Sequence, residues 1–208
     1  MSTWDQRFDT NEYVYGEEPN EFVKQQAHLF KKGMTVLAIA EGEGRNAVWL
    51  AEQGLHVEMW DYSQVGLDKA TRLAERRGVT LQTRLVDLAE ANWPEQAYDV
   101  VLCIYGHFPK EVKTAVFNGI ERALKPGGYF VTEVYSEEQL AYGTGGPKQK
   151  ELLYTLSDFA VLTDSVETIF LFEGTVERNE GMLHHGESAV IQYVCKSMAR
   201  SSDTSPSK

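Results

Sequence analysis

Residues 34–135 alternate between short apolar runs and segments with helical spacing, and this rhythm constrains the fold more than any other feature. Apolar residues spaced three or four apart predict helices between the runs, with Ser63 as the N-cap of one of them. Strands that are separated by helices pair in parallel, with right-handed crossovers and helices on both faces of the sheet. The runs predict five such strands, at 34–40, 55–60, 79–86, 98–105 and 129–135.

The rhythm changes after residue 140. A helix is predicted at 149–156, and two strand-like segments follow at 165–176 and 187–196 with no helical pattern between them. Neighbouring strands of this kind pair antiparallel. The predicted fold class is therefore α/β: a doubly wound, Rossmann-like sheet of seven strands, in which five are parallel and two form a C-terminal antiparallel hairpin.

The length and the charge of the chain limit its organisation and its partners. A chain of 208 residues fits one domain, which we expect at 1–200 with an N-terminal cap segment at about 1–30 and a disordered tail at 201–208. The net charge of −11 disfavours nucleic acid and anionic membrane surfaces. No apolar run approaches the roughly 20 residues of a membrane helix. We expect a cytoplasmic protein with no nucleic-acid or membrane partner.

Glycines and polar residues gather where the predicted strands end. The first strand runs into Ala-Glu-Gly-Glu-Gly-Arg-Asn at 40–46, in which the glycines let the turn pass close beneath a ligand. Asp61 ends the second strand, where an acid can accept hydrogen bonds from the hydroxyls of a ribose. Asp87 ends the third strand, and Tyr105 and His107 follow the fourth. Open α/β sheets bind their ligands at this edge.

Two classes of ligand compete for this turn. Residues 42–47 match G-x-G-x-x-A, which favours a dinucleotide and a nucleotide-dependent oxidoreductase. However, Glu41 and Glu43 place negative charge where a pyrophosphate needs backbone N–H groups. S-adenosylmethionine (SAM) carries an ammonium and a sulfonium cation, which acids favour, and the chain lacks room for a second nucleotide-binding half. The residues therefore favour SAM, with the oxidoreductase kept as an alternative.

Several motifs, in this order and spacing, resemble those of the class I SAM-dependent methyltransferases. They are the segments at 36–46, 60–63, 87–88 and 124–128. With Trp-Asp-x-Arg-Phe at 4–8 and Tyr-Gly-x-x-Pro at 15–19, the chain is most similar to the TehB-like (tellurite resistance) and thiopurine methyltransferase branch. The resemblance implies SAM as methyl donor, S-adenosylhomocysteine (SAH) as product, and a small-molecule acceptor, either a soft sulfur, selenium or tellurium centre or a metabolite.

The resemblance also implies roles for individual residues. The methionine part of the donor would lie against Glu41, Gly42 and Asn46. The nucleoside would lie against Asp61, Tyr62, Ser63, Asp87 and Leu88, with Ile104 and Tyr105 as the floor. The N-terminal residues Trp4, Arg7 and Tyr15 would fold over the donor, with Arg7 pairing its carboxylate.

The acceptor side is less defined by the sequence. His107 and His185 are the candidate catalytic residues, and Glu133 and Tyr135 are further polar residues that we expect near an acceptor. His184 and His185 lack further ligands in metal-binding spacing, so no metal site is predicted. Ala38 and Ala40 stand where the family usually has an acid and a glycine. This departure leaves open a catalytically silent SAM-binding sensor or partner protein.

The negative charge is concentrated in two segments. Residues 1–30 carry −4 and residues 157–190 carry −6. In a fold of this class these pieces usually cover the acceptor pocket. An acidic rim repels anions, so we expect a neutral or cationic acceptor.

Overall fold

The computed structural model describes residues 2–162, 165–181 and 184–198, so the predicted tail at 201–208 lies outside the described residues. Seven strands are present: β1 Thr35–Ile39, β2 His56–Asp61, β3 Gln82–Leu85, β4 Tyr98–Ile104, β5 Leu124–Tyr135, β6 Val166–Glu180 and β7 His184–Ser197. They form one sheet in the order β3-β2-β1-β4-β5-β7-β6. The first five strands pair in parallel, and β7 pairs antiparallel with both β5 and β6. The predicted fold class is confirmed.

Helices cover the sheet and form the N-terminal segment: α1 Thr3–Phe8, α2 Glu21–Gln25, α3 Arg45–Glu52, α4 Gln64–Arg77 and α5 Lys110–Ala123. Short 3₁₀ helices lie at Ala27–Leu29, Glu137–Ala141, Lys150–Leu152 and Leu156–Leu162. The predicted N-cap of α4 is confirmed, because the Ser63 hydroxyl accepts the Gly66 N–H at 3.1 Å. The cap fixes where α4 begins, directly after the end of β2.

The prediction of a helix at 149–156 is wrong, because this range holds a single 3₁₀ turn at Lys150–Leu152 and the next 3₁₀ helix begins only at Leu156. The backbone N–H of Tyr154 donates to the Tyr135 carbonyl at 3.1 Å, and Tyr154 forms a bridge with Ser136. Pairing with the end of β5 satisfies the backbone groups that a longer helix would have used.

The hairpin is longer than the sequence pattern predicts. Strands β6 and β7 stay paired through Glu177, opposite Glu187, and Glu180, opposite His184. Polar side chains therefore continue within the ladder beyond the apolar stretch. The extension brings the end of β6 to the N-terminal segment, where Glu180 accepts a hydrogen bond from the Asn20 side chain at 3.1 Å.

Alternating strand residues build an apolar layer on each face of the sheet. Leu37 and Val101 pack with α5 on one face, whereas Val36 and Leu102 pack with α3 on the other. The apolar layers fill the two faces of the sheet, and polar groups lie at the edge where the parallel strands end. Within the described residues, no helix has the length and apolar character needed to cross a membrane.

Candidate functional site

The turn after β1 lies against the end of β2. Gly42 and Gly44 adopt φ of +64° and +84°, a region that glycine enters without a steric penalty. Asp61 accepts the Gly42 N–H at 2.7 Å with one carboxylate oxygen and the Ser63 N–H at 2.8 Å with the other. Burial raises the pKa of Asp61. The turn and the acid that the sequence singled out are thus joined by direct hydrogen bonds.

Glu41 occupies the amino end of α3. Its Oε1 accepts the backbone N–H groups of Asn46 and Ala47, both at 2.9 Å. The start of this helix is where a dinucleotide-binding fold places the pyrophosphate. A carboxylate already sits there, so the arrangement disfavours the dinucleotide alternative.

The second oxygen of Glu41 has a different environment. Oε2 is buried and has no hydrogen-bond partner within the described part of the chain. Burial raises the pKa of the carboxyl to about 7. The turn therefore presents a buried acid with unused capacity for a hydrogen-bond donor or a cation.

Glu43, the other acid of the turn, is paired with another side chain of the protein. Its carboxylate pairs with the buried Lys69 ammonium of α4 at 2.5 Å. The same ammonium donates to the backbone carbonyls of Phe8, Thr10 and Glu12. Glu43 therefore acts, through Lys69, in anchoring the N-terminal segment.

Ala38 and Ala40, the two departures from the family pattern, each have a structural consequence. Ala38 is fully buried within the apolar layer on the α3 face, where an acid would be desolvated. Ala40 adopts φ of +51°, a left-handed conformation that favours glycine. Such backbone strain costs on the order of 1–3 kcal/mol and is typical of ligand-binding turns.

The N-terminal segment covers the turn and brings Trp4, Arg7 and Tyr15 together, and their contact with the donor stays a prediction. The Arg7 guanidinium lies 4.6 Å from the centroid of the Trp4 ring and donates to the Tyr15 hydroxyl at 3.0 Å. Phe8 is buried beneath them, and a Cβ built on Gly42 would lie only 3.0 Å from its ring. Gly42 is therefore required for close approach as well as for φ.

The amino end of α4 also holds this segment. The Ser63 hydroxyl donates to Asp5 of α1 at 2.6 Å. This hydrogen bond, helped by the Ser2 N–H, lowers the pKa of Asp5 to about 2. Ser63 is thus fully engaged by the protein, and its predicted contact with the adenine stays a prediction.

The residues predicted beside the adenine lie at the ends of adjacent strands. Tyr62, after β2, is 55% exposed. Asp87 follows β3, is exposed, and accepts the Ala89 N–H at 2.9 Å. Leu88 is buried in the apolar layer on the α5 face. All three residues lie at the edge of the sheet where the parallel strands end, as the sequence predicts. Their contact with a nucleoside stays a prediction.

The end of β4 supplies the predicted floor. Ile104 is buried, and Tyr105 adopts φ of +55°. The Tyr105 hydroxyl donates to Glu133 at 2.6 Å, and its ring stacks on Tyr135 with centroids 4.7 Å apart. The floor is therefore held rigidly by a bond to the neighbouring strand.

The two candidate catalytic histidines differ in environment. His107 Nδ1 lies 3.0 Å from the Leu152 carbonyl, which can only accept, so Nδ1 carries the proton and Nε2 keeps its lone pair. Nε2 is buried with no partner within the described residues. Burial lowers the pKa of His107 to about 4, so the ring is neutral. His185 is exposed on β7, opposite Asn179.

Glu133 lies at the centre of a buried network that the sequence analysis did not anticipate. Its oxygens accept hydrogen bonds from Asn20 at 2.8 Å, from Gln192 at 2.6 Å and from the Arg178 guanidinium. With Tyr105 added, both oxygens are engaged, which favours a structural role over contact with an acceptor. The sequence signal for this network was an acid within an apolar strand. The network itself could not be predicted, because its other members come from residues 20, 178 and 192.

A cavity of about 380 Å³ lies between the N-terminal segment and the end of β6. Its walls bring together the two acidic segments of the sequence. The charged residues that line it are Glu17, Glu18, Glu21, Lys24, Glu177, Arg178 and Glu180. Acids outnumber bases on these walls, and binding of the acceptor there stays a prediction. No group of three metal-ligating side chains occurs among the residues that the structure describes.

The fold is shared with solved structures of SAM-dependent methyltransferases. Residues 36–128 match the family model described as a methyltransferase domain. A solved structure with the same fold is the N-methyltransferase NodS from Bradyrhizobium japonicum in complex with SAH, with a TM-score of 0.71 and 11% identity over 94% of this chain and 96% of that one.

Two curated relatives extend the comparison. A sterol 24-C-methyltransferase, ERG6B of Gibberella zeae, is 26% identical over 66% of this chain and 40% of its own length. The probable SAM-dependent methyltransferase TehB of Haemophilus influenzae is 25% identical over 76% of this chain and 47% of its own length. The chain spans less than half of either relative. The comparisons show a methyltransferase domain at residues 36–128 and leave the activity, the acceptor and the TehB-like branch as proposals.

Proposed function

We propose that the protein transfers a methyl group from SAM to a small-molecule acceptor and releases SAH. The observation that carries this proposal is the acidic donor turn, in which Glu41 caps α3 and Asp61 bonds the Gly42 amide at 2.7 Å. These acids suit the ammonium and the ribose hydroxyls of SAM, whereas they oppose a pyrophosphate. The buried, unpartnered oxygen of Glu41 fits a ligand with a positive charge.

The proposed donor contacts follow the positions of the site residues. The methionine part lies near Glu41, Gly42 and Asn46, the ribose near Asp61, and the adenine near Tyr62, Ser63, Asp87 and Leu88. Ile104 and Tyr105 form the floor, and Trp4, Arg7 and Tyr15 form the cover. Within a proposed single domain at 1–200, the segment at about 1–30 is the cap.

Methyl transfer from a sulfonium is an in-line displacement, in which a sulfur–carbon bond breaks as the acceptor–carbon bond forms. The main task of the protein is to hold the acceptor close and aligned. An acceptor that must lose a proton needs a base nearby. The neutral His107, with its free Nε2 lone pair, is our candidate for that base. His185, exposed on the hairpin, is the second candidate.

The acidic cavity supports a neutral or cationic acceptor. The resemblance of the motifs to the TehB-like (tellurite resistance) branch supports a soft sulfur, selenium or tellurium centre, and the sterol relatives support a neutral metabolite. A tellurite oxyanion agrees poorly with acidic walls, because like charges raise the cost of entry. We therefore favour an uncharged or cationic small molecule.

Calorimetric titration of the pure protein with SAM, SAH, NADH and NADPH tests the donor assignment. We expect binding of SAM and SAH, and a Kd that rises tenfold or more (about 1.4 kcal/mol) in Asp61→Ala. Asp68→Ala, on the exposed side of α4, is the matched control and should bind SAH normally. No binding of SAM or SAH, or an unchanged Kd in Asp61→Ala, would contradict the proposal.

A second assay separates an enzyme from a silent sensor. Formation of SAH is followed by mass spectrometry across thiol, selenol, amine and hydroxyl acceptors. Turnover with any of them supports the methyltransferase. Donor binding without turnover across the whole panel would favour the sensor.

A further inference from the structure

Asn20 is a fully buried residue at the amino end of α2. Its side-chain oxygen accepts the Val23 N–H at 3.2 Å and so caps the helix. Its backbone N–H donates to the Asn46 side chain at 2.8 Å. Its side-chain Nδ2 donates to Glu133 at 2.8 Å and to Glu180 at 3.1 Å. A helix cap requires only the first of these bonds, so the other three indicate a second task for Asn20.

The bonds of Asn20 connect the two sides of the proposed site. On the donor side, the Asn46 backbone N–H donates to Glu41 Oε1 at 2.9 Å. On the floor side, Glu133 Oε1 accepts the Asn20 amide and also the Tyr105 hydroxyl, the latter at 2.6 Å. A continuous series of hydrogen bonds therefore runs from the turn after β1, through Asn20, to the end of β4. Water does not compete for its inner members, because Glu41, Asn46 and Glu133 are at most 7% exposed.

Asn20 differs from the other partners of Glu133 in where it lies along the chain. Arg178 lies on β6 and Gln192 on β7, so their bonds stay within neighbouring strands of the sheet. Asn20 belongs to the N-terminal segment and is bonded to α3 through Asn46. It therefore fixes the Glu133 carboxylate relative to the donor turn.

Tyr105 depends on this support for its position. Its φ of +55° is a conformation that a residue other than glycine keeps only where its surroundings hold it. The residue is partly exposed, and its hydroxyl is bound to the same Glu133 oxygen that accepts the Asn20 amide. Loss of the Asn20 bond frees that carboxylate to move, and the Tyr105 ring moves with it.

We propose that Asn20 is a positioning residue for methyl transfer, which holds the Tyr105 floor in register with the donor turn. The inference rests on the proposed function and deepens it. An in-line displacement requires the acceptor atom to lie directly behind the methyl group, and a misplacement of about 1 Å lowers the rate by about 100-fold. Asn20 contacts neither reactant in this arrangement and acts on their alignment through Asn46 and Glu133.

The test compares Asn20→Ser with Asn11→Ser. The serine hydroxyl can still cap α2, and the backbone bond to Asn46 is kept, whereas both amide donors are lost. Asn11 undergoes the same chemical change at an exposed position of the N-terminal segment and is the control. The rate is measured in a single turnover, with the protein in excess over SAM and an acceptor from the thiol, selenol, amine and hydroxyl panel. Calorimetric titration with SAH measures the affinity of the donor site.

The expected result is a loss of rate without a loss of affinity. Asn20→Ser should lower the single-turnover rate about 100-fold, because the acceptor and the methyl group are no longer aligned. Its Kd for SAH should stay within about threefold of the wild-type value, since the donor turn keeps its own bonds. Asn11→Ser should change neither quantity. A general loss of structure would weaken both, so the split distinguishes positioning from a merely structural role.

A double variant tests the route through Glu133. Tyr105→Phe removes the hydroxyl at the other end of the link, so it should lower the rate on its own. Because both changes break one link, adding Asn20→Ser to Tyr105→Phe should lower the rate by less than about twofold more. Losses that multiply, or a wild-type rate in Tyr105→Phe, would overturn the inference. If Asn20→Ser does not fold, Asn20→Thr replaces it, since threonine also caps a helix and fills more of the buried space.

The outcomes also distinguish the inference from the proposed function. A wild-type rate in Asn20→Ser, or a loss of rate matched by an equal loss of SAH affinity, would overturn the role of Asn20 and leave the methyltransferase proposal intact. Absence of SAM and SAH binding to the wild-type chain, or of turnover across the whole acceptor panel, would overturn both.

Discussion

Two buried glutamates at the same edge of the sheet have opposite environments. Glu133, at the end of β5, accepts hydrogen bonds from four side chains, including the Arg178 guanidinium. Glu41, after β1, accepts two backbone N–H groups with one oxygen, and its other oxygen has no hydrogen-bond partner among the residues that the structure describes. A saturated carboxylate fixes the structure, whereas an unsaturated one is available to a ligand. The comparison separates two halves of this edge: a scaffold half, and a donor half that is named for the donor we propose it binds.

The largest expected effect tests the scaffold half. Glu133→Gln leaves Arg178 buried without its main counter-charge, and breaking a buried pair costs about 3–5 kcal/mol. We expect that loss in the free energy of unfolding, measured by urea denaturation. Glu173→Gln, on the exposed face of β6, should change it by less than about 0.5 kcal/mol. A loss below about 1 kcal/mol in Glu133→Gln would remove the distinction between the two glutamates.

A smaller effect tests the donor half without ligand. Because burial raises the Glu41 pKa from 4.5 to about 7, its contribution to stability is present below pH 4.5 and is lost as the pH rises through 7. Glu41→Gln removes the buried charge, so at pH 8 it should exceed the wild type in free energy of unfolding by about 1–3 kcal/mol. Urea denaturation at pH 5 and pH 8 measures this difference. An equal difference at both pH values would show that Glu41 does not titrate in this range.

The smallest effect tests how the N-terminal segment joins the donor half. Ser63→Ala removes the N-cap of α4 and the hydroxyl that donates to Asp5, and we expect a loss of about 1 kcal/mol in the free energy of unfolding. Thr71→Ala, in the exposed middle of the same helix, is the control. Limited proteolysis at 9–16 should accelerate only in Ser63→Ala. Equal rates in both variants would mean that Ser63 does not hold the segment.

Much of this arrangement follows from local pattern. The strand and helix rhythm predicted the seven-stranded sheet, and Ser63 was placed correctly as an N-cap. The acid at 61 and the glycines at 42 and 44 were identified because a strand end and a turn are local features. The sequence pattern overestimates the length of β3 and predicts a helix at 149–156 that does not form. Both errors arise because the structure of these segments depends on backbone pairing with distant residues.

The sequence by itself determined the architecture, the position of the glycine-containing turn after β1 and the concentration of acids in two segments. Only the tertiary structure decided which acids are free. Lys69 neutralises Glu43, and Arg178 with Asn20 saturates Glu133, whereas Glu41 is left with an open oxygen. The physical reason is that periodicity reports which face a residue occupies. The pairing of a buried charge instead depends on residues from other parts of the chain, 113 positions apart in the case of Asn20 and Glu133.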